Sequence, residues 1–265
     1  MQSLFATQIR KIILEQSNHA HVGHIGSSLS VADIIGTLYE EVLQIPSPDH
    51  SDRDRFILSK GHAALALYAA FFLKGWISPN MLNSYCSDDT LLGVHPERLL
   101  PGVDFGTGSL GMGISYGVGS ALAAKMQNSK RRVFVLVSDA ECNEGIVWES
   151  AMFAAHHKIS NLYVIIDLNG QQALGYTQDV LDTSPLGKKW ESFGWQVKDV
   201  DGHSREEIIN AIQSCEDELA RPHVLIAHTV FGKGVSFMEN KIKWHYWPMS
   251  MEEYELALQN VEMHS

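Results

Sequence analysis

Apolar residues in this chain fall into short solid runs and longer helical stripes that alternate. Val133 to Val137 and Leu162 to Ile166 are brief, rich in β-branched residues and apolar throughout. Strands covered on both faces read this way. Between them, from about Glu144 to His156, apolar positions recur at helical spacing, with Trp148, Ala151, Met152 and Ala155 on one face. Strand, helix and strand make a βαβ unit whose strands run parallel. The same alternation extends along the chain. A helix is expected over residues 3–17, with Leu4, Ile9, Ile12 and Ile13 inward, and another from Val31 to Leu43, with Ser28 and Ser30 as caps. Phe56 to Leu58 reads as a strand, Gly61 as a turn, and Ala63 to Leu73 as an apolar helix. Ser78-Pro79 starts a short helix, and small residues from Ile114 to Ala124 make another. Later come a helix from Ser184-Pro185 to Phe193, a strand from Gly194 to Val200, a capping box at Ser204 to Glu207 for a helix up to Leu219, and a last strand, His223 to Thr229. The expected fold class is α/β: a three-layer, open, mostly parallel sheet with helices on both faces. Residues 1–265 read as one domain with an extended C-terminal tail from about 231.

Composition narrows the functional classes. The net charge of −11 argues against nucleic acid and anionic membrane as partners, since both want a basic surface. The longest apolar run, Ala63 to Leu73, is too short to cross a bilayer, and the first residues read as an amphipathic helix rather than a leader. Cys86, Cys142 and Cys215 are odd in number and widely spaced, which fits a reducing cytoplasm. Histidine is abundant, at 13 residues, and several lie beside glycine in turn-like settings.

Candidate chemistry gathers where strands end. In the βαβ unit Asp139 and Asn169 follow parallel strands and fall on the same side of the sheet, where open α/β sheets bind ligands. A carboxylate, an amide oxygen and nearby carbonyls suit Mg²⁺, which usually completes its shell with phosphate and water. The competing reading is that Asp139 caps a helix and Asn169 serves a turn. His62, at a strand-to-helix turn, is placed to touch an anion or to bond backbone within the core. The glycine-rich run from Gly106 to Gly113 precedes a helix but follows no strand, unlike a dinucleotide fingerprint.

These blocks resemble the transketolase family. Ser138-Asp139-Ala140, Glu144-Gly145, Trp148-Glu149 and Asp167-Leu168-Asn169 follow its thiamin diphosphate signature, with Ser138 and Ala140 standing where the family usually has glycine. Gly23-His24-Ile25-Gly26, Ser59-Lys60-Gly61-His62, Gly93-Val94-His95-Pro96-Glu97 and Gly108-Ser109-Leu110-Gly111 resemble further family runs. The resemblance implies a thiamin diphosphate-binding fold. It implies a metal, Mg²⁺ with Ca²⁺ or Mn²⁺ as substitutes, held by Asp139, Asn169 and the carbonyl of Gln171. It puts His62, Gly108, Ser109, Leu110, Asp139, Ala140, Glu141, Asn169 and His245 against the cofactor. His24, His62 and His95 would face the substrate, and Glu144 would join a carboxylate network between subunits. Where the family continues His-Gly, this chain has His245-Tyr246-Trp247, so the tail's path is expected to differ.

The resemblance covers the diphosphate-binding half of a transketolase and not the pyrimidine-binding half. It implies the N-terminal subunit of a split enzyme, paired with a separate C-terminal subunit in an α₂β₂ assembly. Such an enzyme would move a two-carbon ketol unit from a ketose or ketose phosphate to an aldehyde. Three alternatives stay open: a 2-oxoacid dehydrogenase or deoxyxylulose phosphate synthase type of thiamin enzyme, a nicotinamide dehydrogenase, and a non-catalytic assembly subunit.

Overall fold

The computed structural model describes residues 4–216 and 220–263. In chain order the helices α1 (Leu4–Ala20), α2 (Ile25–Ser30) and α3 (Ala32–Thr37, running on as a π turn over Leu38–Val42) precede strand β1 (Arg55–Leu58). After a 3₁₀ turn at Gly61–Ala63 come α4 (Ala64–Leu73), α5 (Pro79–Leu82), α6 (Met112–Met126) and β2 (Val133–Ser138). Then follow α7 (Gly145–His156), β3 (Leu162–Leu168) and a small hairpin of β4 (Gln171–Gln172) and β5 (Gly175–Tyr176). The chain continues with α8 (Thr177–Leu181), α9 (Leu186–Ser192), β6 (Gln196–Asp201), α10 (Arg205–Cys215), β7 (His223–His228) and α11 (Met251–Met263).

Five strands form one parallel sheet in the order β1-β2-β3-β7-β6. Alternation along each central strand builds two cores. Val133, Val135 and Val137 of β2 and Val164 and Ile166 of β3 face α6, α7 and α9. Phe134 and Leu136 with Tyr163 and Ile165 face α1, α3, α4 and α10. Burial on both faces is why these strands carry almost no polar residue. The chain order reverses between β3 and β7, so the carboxyl ends of β1, β2, β3 and β7 open onto one crevice.

Several local expectations change. The region expected as a loop up to Ser30 is helical from Ile25, and Ser28 and Ser30 sit inside that helix. Their hydroxyls donate back to the carbonyls of His24 (3.2 Å) and Ser27 (3.0 Å) instead of capping. On α7 the inward residues are Val147, Ser150, Ala151 and Ala154, while Met152 is 51% exposed. Helix α10 ends at Cys215, and the expected end at Leu219 lies outside the described residues. Ser204 caps α10 through the Glu207 N–H (3.3 Å), but Glu207 accepts from the Asp201 N–H (2.8 Å), so the box is only half formed. From 231 the tail makes turns, a 3₁₀ segment at Ile242–His245, and then α11, whose buried Ala257 and Val261 join the core that α1 lines.

Candidate active site

The floor of the crevice is polar and densely hydrogen-bonded. Register pairs Ser138 with Asp167, so Asp139 and Asn169 emerge side by side from β2 and β3. The Asp139 carboxylate accepts from the N–H of Ala140 (2.9 Å) and of Gly170 (2.9 Å). Asn169 donates its amide to Asp167 (2.8 Å) and accepts from the Gln171 N–H (2.9 Å). Asp139 is 1% exposed, and no cation lies within ion-pairing distance of it among the described residues. Burial first, and then Asp167, pushes its carboxyl up to about 7. Asp167 itself is compensated. It pairs with buried Lys60 and accepts from Ser30 (2.9 Å), Asn169 and Thr229. Lys60 is thus the fixed charge of the floor, brought there by the turn after β1.

Three histidines form one wall. The ring centroids of His24, His62 and His245 lie 5.4, 5.4 and 5.5 Å apart. His24 precedes α2 with φ 59°, a left-handed conformation uncommon outside glycine, and its N–H donates to the His245 carbonyl (3.3 Å). The tail therefore rides on the His24 loop. Gly23 makes this close approach possible, since a Cβ there would lie 2.2 Å from the Tyr246 main-chain carbonyl oxygen. Burial first, then His95 and Lys60, lowers the His24 pKa. Burial, then Lys60 and the other rings, holds His62 well below its ordinary value, and burial, then His24 and Lys60, brings His245 down to about 4. Tyr246 turns its ring toward His245 (5.0 Å) and its hydroxyl donates to the Ala173 carbonyl (3.0 Å). That bond ties the tail to the β4–β5 hairpin across the mouth.

The opposite wall is the glycine loop and the turn after β2. Gly108, Leu110, Ala140 and Glu144 line the cavity, as does His95, while Ser109 is exposed and does not. Glu141 is placed differently from the other expected cofactor contacts. Its carboxylate is fully buried and accepts from the N–H groups of Gly111 (2.8 Å) and Ser138 (2.8 Å) and from the Ser59 hydroxyl. It clamps the glycine loop to the ends of β1 and β2 and leaves no side-chain atom for a ligand. Ala140, expected against the cofactor, lines the cavity, and its N–H donates to Asp139 (2.9 Å). Glu144 is exposed at the start of α7 and makes no cap bond.

These walls enclose a cavity of about 380 Å³. Six buried side-chain polar atoms lack a partner among the described residues, and four belong to three residues of this cavity: His24 Nδ1, His245 Nδ1 and both amide atoms of Gln171. An unpaired buried polar group costs about 1–3 kcal/mol, so their gathering makes this cavity the candidate binding site. The donor set fits the expected metal: one uncompensated carboxylate, one amide oxygen and nearby backbone carbonyls, all hard oxygens. Among the described residues no three His, Cys, Asp or Glu side chains form a metal cage.

Sequence reasoning missed Lys60, Asp167 and Tyr246. Lys60 carries a signal, since a lysine between a buried strand and a Gly-His turn cannot reach solvent easily. Asp167 is overshadowed in the sequence by its neighbour Asn169.

A family model described as "Transketolase, thiamine diphosphate binding domain" matches residues 1–264. The chain is 38% identical to the 6-deoxy-6-sulfo-D-fructose transketolase subunit SqwG of a Clostridium species, covering 97% of this chain and 94% of that one. It is 39% identical to an apulose-4-phosphate transketolase subunit of Phocaeicola vulgatus, covering 95% and 90%. The crystal structure of transketolase from Campylobacter jejuni superposes with a TM-score of 0.92 at 29% identity, over 99% of this chain and 43% of that chain. The chain thus spans nearly all of the named subunits and about two-fifths of the longer enzyme.

Proposed function

On the premise that the chain belongs to the transketolase family through its thiamine diphosphate-binding domain, we propose that it is the N-terminal subunit of a two-component transketolase. The assembled enzyme moves a two-carbon ketol unit from a ketose or ketose phosphate to an aldehyde. A separate C-terminal subunit supplies the pyrimidine-binding domain, in an α₂β₂ assembly. The names of the subunit relatives favour this over the other thiamin enzymes. Free thiols at Cys86, Cys142 and Cys215 favour the cytoplasm, and no described helix is long and apolar enough to cross a membrane.

The observation that carries the reading is the coincidence, at one cavity, of a histidine cluster and most of the orphaned polar atoms with a buried, unpaired carboxylate, Asp139, between the lining residues Ser138 and Ala140. Asp139, the Asn169 side-chain oxygen and the Gln171 carbonyl would hold Mg²⁺. Bound thiamin diphosphate supplies a nucleophilic carbon and an electron sink for breaking the bond beside a ketose carbonyl. The chain's own residues do the rest. His62 stays neutral at pH 7, so one ring nitrogen accepts and the other donates toward diphosphate and sugar oxygens. His24 and His95 bind donor hydroxyls and move protons to and from them. His245 closes the cluster from the tail. Gly108 and Leu110 form the wall against the cofactor ring, and Glu144, exposed at the rim, faces the partner subunit. Calorimetric titration with thiamin diphosphate should show saturable binding that needs Mg²⁺ and is strengthened by the partner. No heat with the partner and Mg²⁺ both present would sink the proposal and favour a non-catalytic assembly subunit.

A further inference from the structure

The side chain of Gln171 has no task in the arrangement above, which uses only its backbone. It is 4% exposed and lines the cavity, and neither its amide nitrogen nor its amide oxygen has a partner. Its neighbours are satisfied: Gln172 donates to Asn143 (3.3 Å), and Asn169 is bonded at both ends. Leaving one carboxamide unpaired in an otherwise paired floor is a cost the fold accepts for a ligand.

The chemistry of the group selects that ligand. A carboxamide offers two donors and an acceptor on one small plane. A metal-bound diphosphate presents acceptors only and would leave the amide oxygen unpaired. A hydroxyl gives and takes a hydrogen bond and satisfies both ends. Position agrees. Gln171 lies between the buried Asn169, whose side-chain oxygen its N–H meets, and Ala173, which holds the Tyr246 crossbar at the half-open mouth. Gln171 thus stands on the lining between floor and mouth, where a sugar extending outward from the floor would pass.

We infer that the Gln171 carboxamide is a specificity-determining group that reads a hydroxyl on the polyol chain of the donor sugar. This rests on the proposed ketol transfer. A site built to bond a hydroxyl discriminates strongly, because its polar atoms go unpaired when the hydroxyl is missing.

Gln171→Met keeps length, flexibility and the backbone carbonyl while removing both polar ends. The test uses the holoenzyme with its partner subunit. Its donors are fructose 6-phosphate, 6-deoxy-6-sulfofructose and xylulose 5-phosphate, compared with hydroxypyruvate, which carries the ketol unit without a polyol chain. The variant should lower kcat/KM for a polyol donor by about ten- to a hundredfold, equivalent to one or two lost hydrogen bonds. The loss, mostly in KM, should exceed that with hydroxypyruvate by at least about tenfold. Calorimetric Kd values for thiamin diphosphate and for Mg²⁺ should stay within about twofold of wild type. An equal loss on all donors overturns the inference. So does a weakened Mg²⁺ or cofactor Kd, which would assign the amide to the metal or the cofactor. Wild-type protein that binds no cofactor, or that uses none of the donors, refutes the ketol-transfer reading instead and takes this inference with it.

Discussion

Lys60→Met tests whether the floor of the cavity is held by charge. Lys60 and Asp167 have side chains 1% and 0% exposed and pair directly. Removing the ammonium strands a carboxylate in a site from which water is excluded. Breaking such a pair costs about 3–5 kcal/mol. Here Ser30, Asn169 and Thr229 still donate to Asp167, which puts the expectation at the lower end, about 3 kcal/mol. At about 2–4 °C per kcal/mol for a chain of this size, the melting temperature should fall by about 6–12 °C. Urea denaturation monitored by tryptophan fluorescence reads the free energy directly. Lys60→Met/Asp167→Asn removes both charges and should recover most of the loss. Lys60 also helps to lower the pKa of His24, His62 and His245, so all three should titrate higher by NMR in Lys60→Met. A loss under about 1 kcal/mol, or a double variant no more stable than the single, would refute the reasoning.

Three further outcomes follow from the same geometry. Asp139→Asn keeps one accepting oxygen, for the Ala140 or the Gly170 N–H, and gives up the other, and it should weaken Mg²⁺-dependent cofactor retention by about 100-fold or more; unchanged retention by equilibrium dialysis would remove Asp139 from the metal site. His245 is lowered from 6.5 to about 4, so between those values the unfolded chain binds the extra proton. Its contribution is complete above pH 6.5 and lost as pH falls toward 4, costing up to about 2 kcal/mol by pH 5, and His245→Gln should flatten the melting-temperature profile in that window. Gly23→Ala should push the tail off the His24 loop, because the new methyl would lie 2.2 Å from the Tyr246 main-chain carbonyl oxygen. Global stability should change by less than about 2 kcal/mol while cofactor affinity falls about tenfold, and an unchanged dissociation constant would show that the tail tolerates the shift.

The sheet was readable from residues 133–169 because solid apolar runs of five have few alternatives once a helical stripe separates them. The crevice followed from that, since parallel strands bring Asp139 and Asn169 to one side. The inward face of α7 was misjudged for a physical reason. The helix is rich in small residues, so its apolar contrast is weak, and Met152 carries more hydrophobic weight than the alanines that actually pack. Serine has one residue type for two tasks, and Ser28 and Ser30 bond backward into their own helix rather than capping the next. Glu141 shows the limit most clearly. A carboxylate next to a metal-binding motif looks like a ligand, and only the fold reveals that the Gly111 and Ser138 N–H groups take both of its oxygens. The long-range partners of Lys60 and Tyr246, and the unpaired burial of the Gln171 amide, are likewise set by topology and leave no mark on local spacing.

The three mutually close imidazoles have one more consequence. At about 5.5 Å, two protonated rings would repel by roughly 3 kcal/mol in a medium of intermediate polarity, so the cluster accepts at most one proton near neutrality. Lys60 is the only lysine or arginine among the described lining residues, and Asp167 cancels it. With Glu144 on the lining and Asp139 behind it, the balance of charge at the pocket falls on the acidic side, within a chain of net charge −11. Such a site would repel a bare phosphate ester and favour one whose charge a divalent cation already offsets.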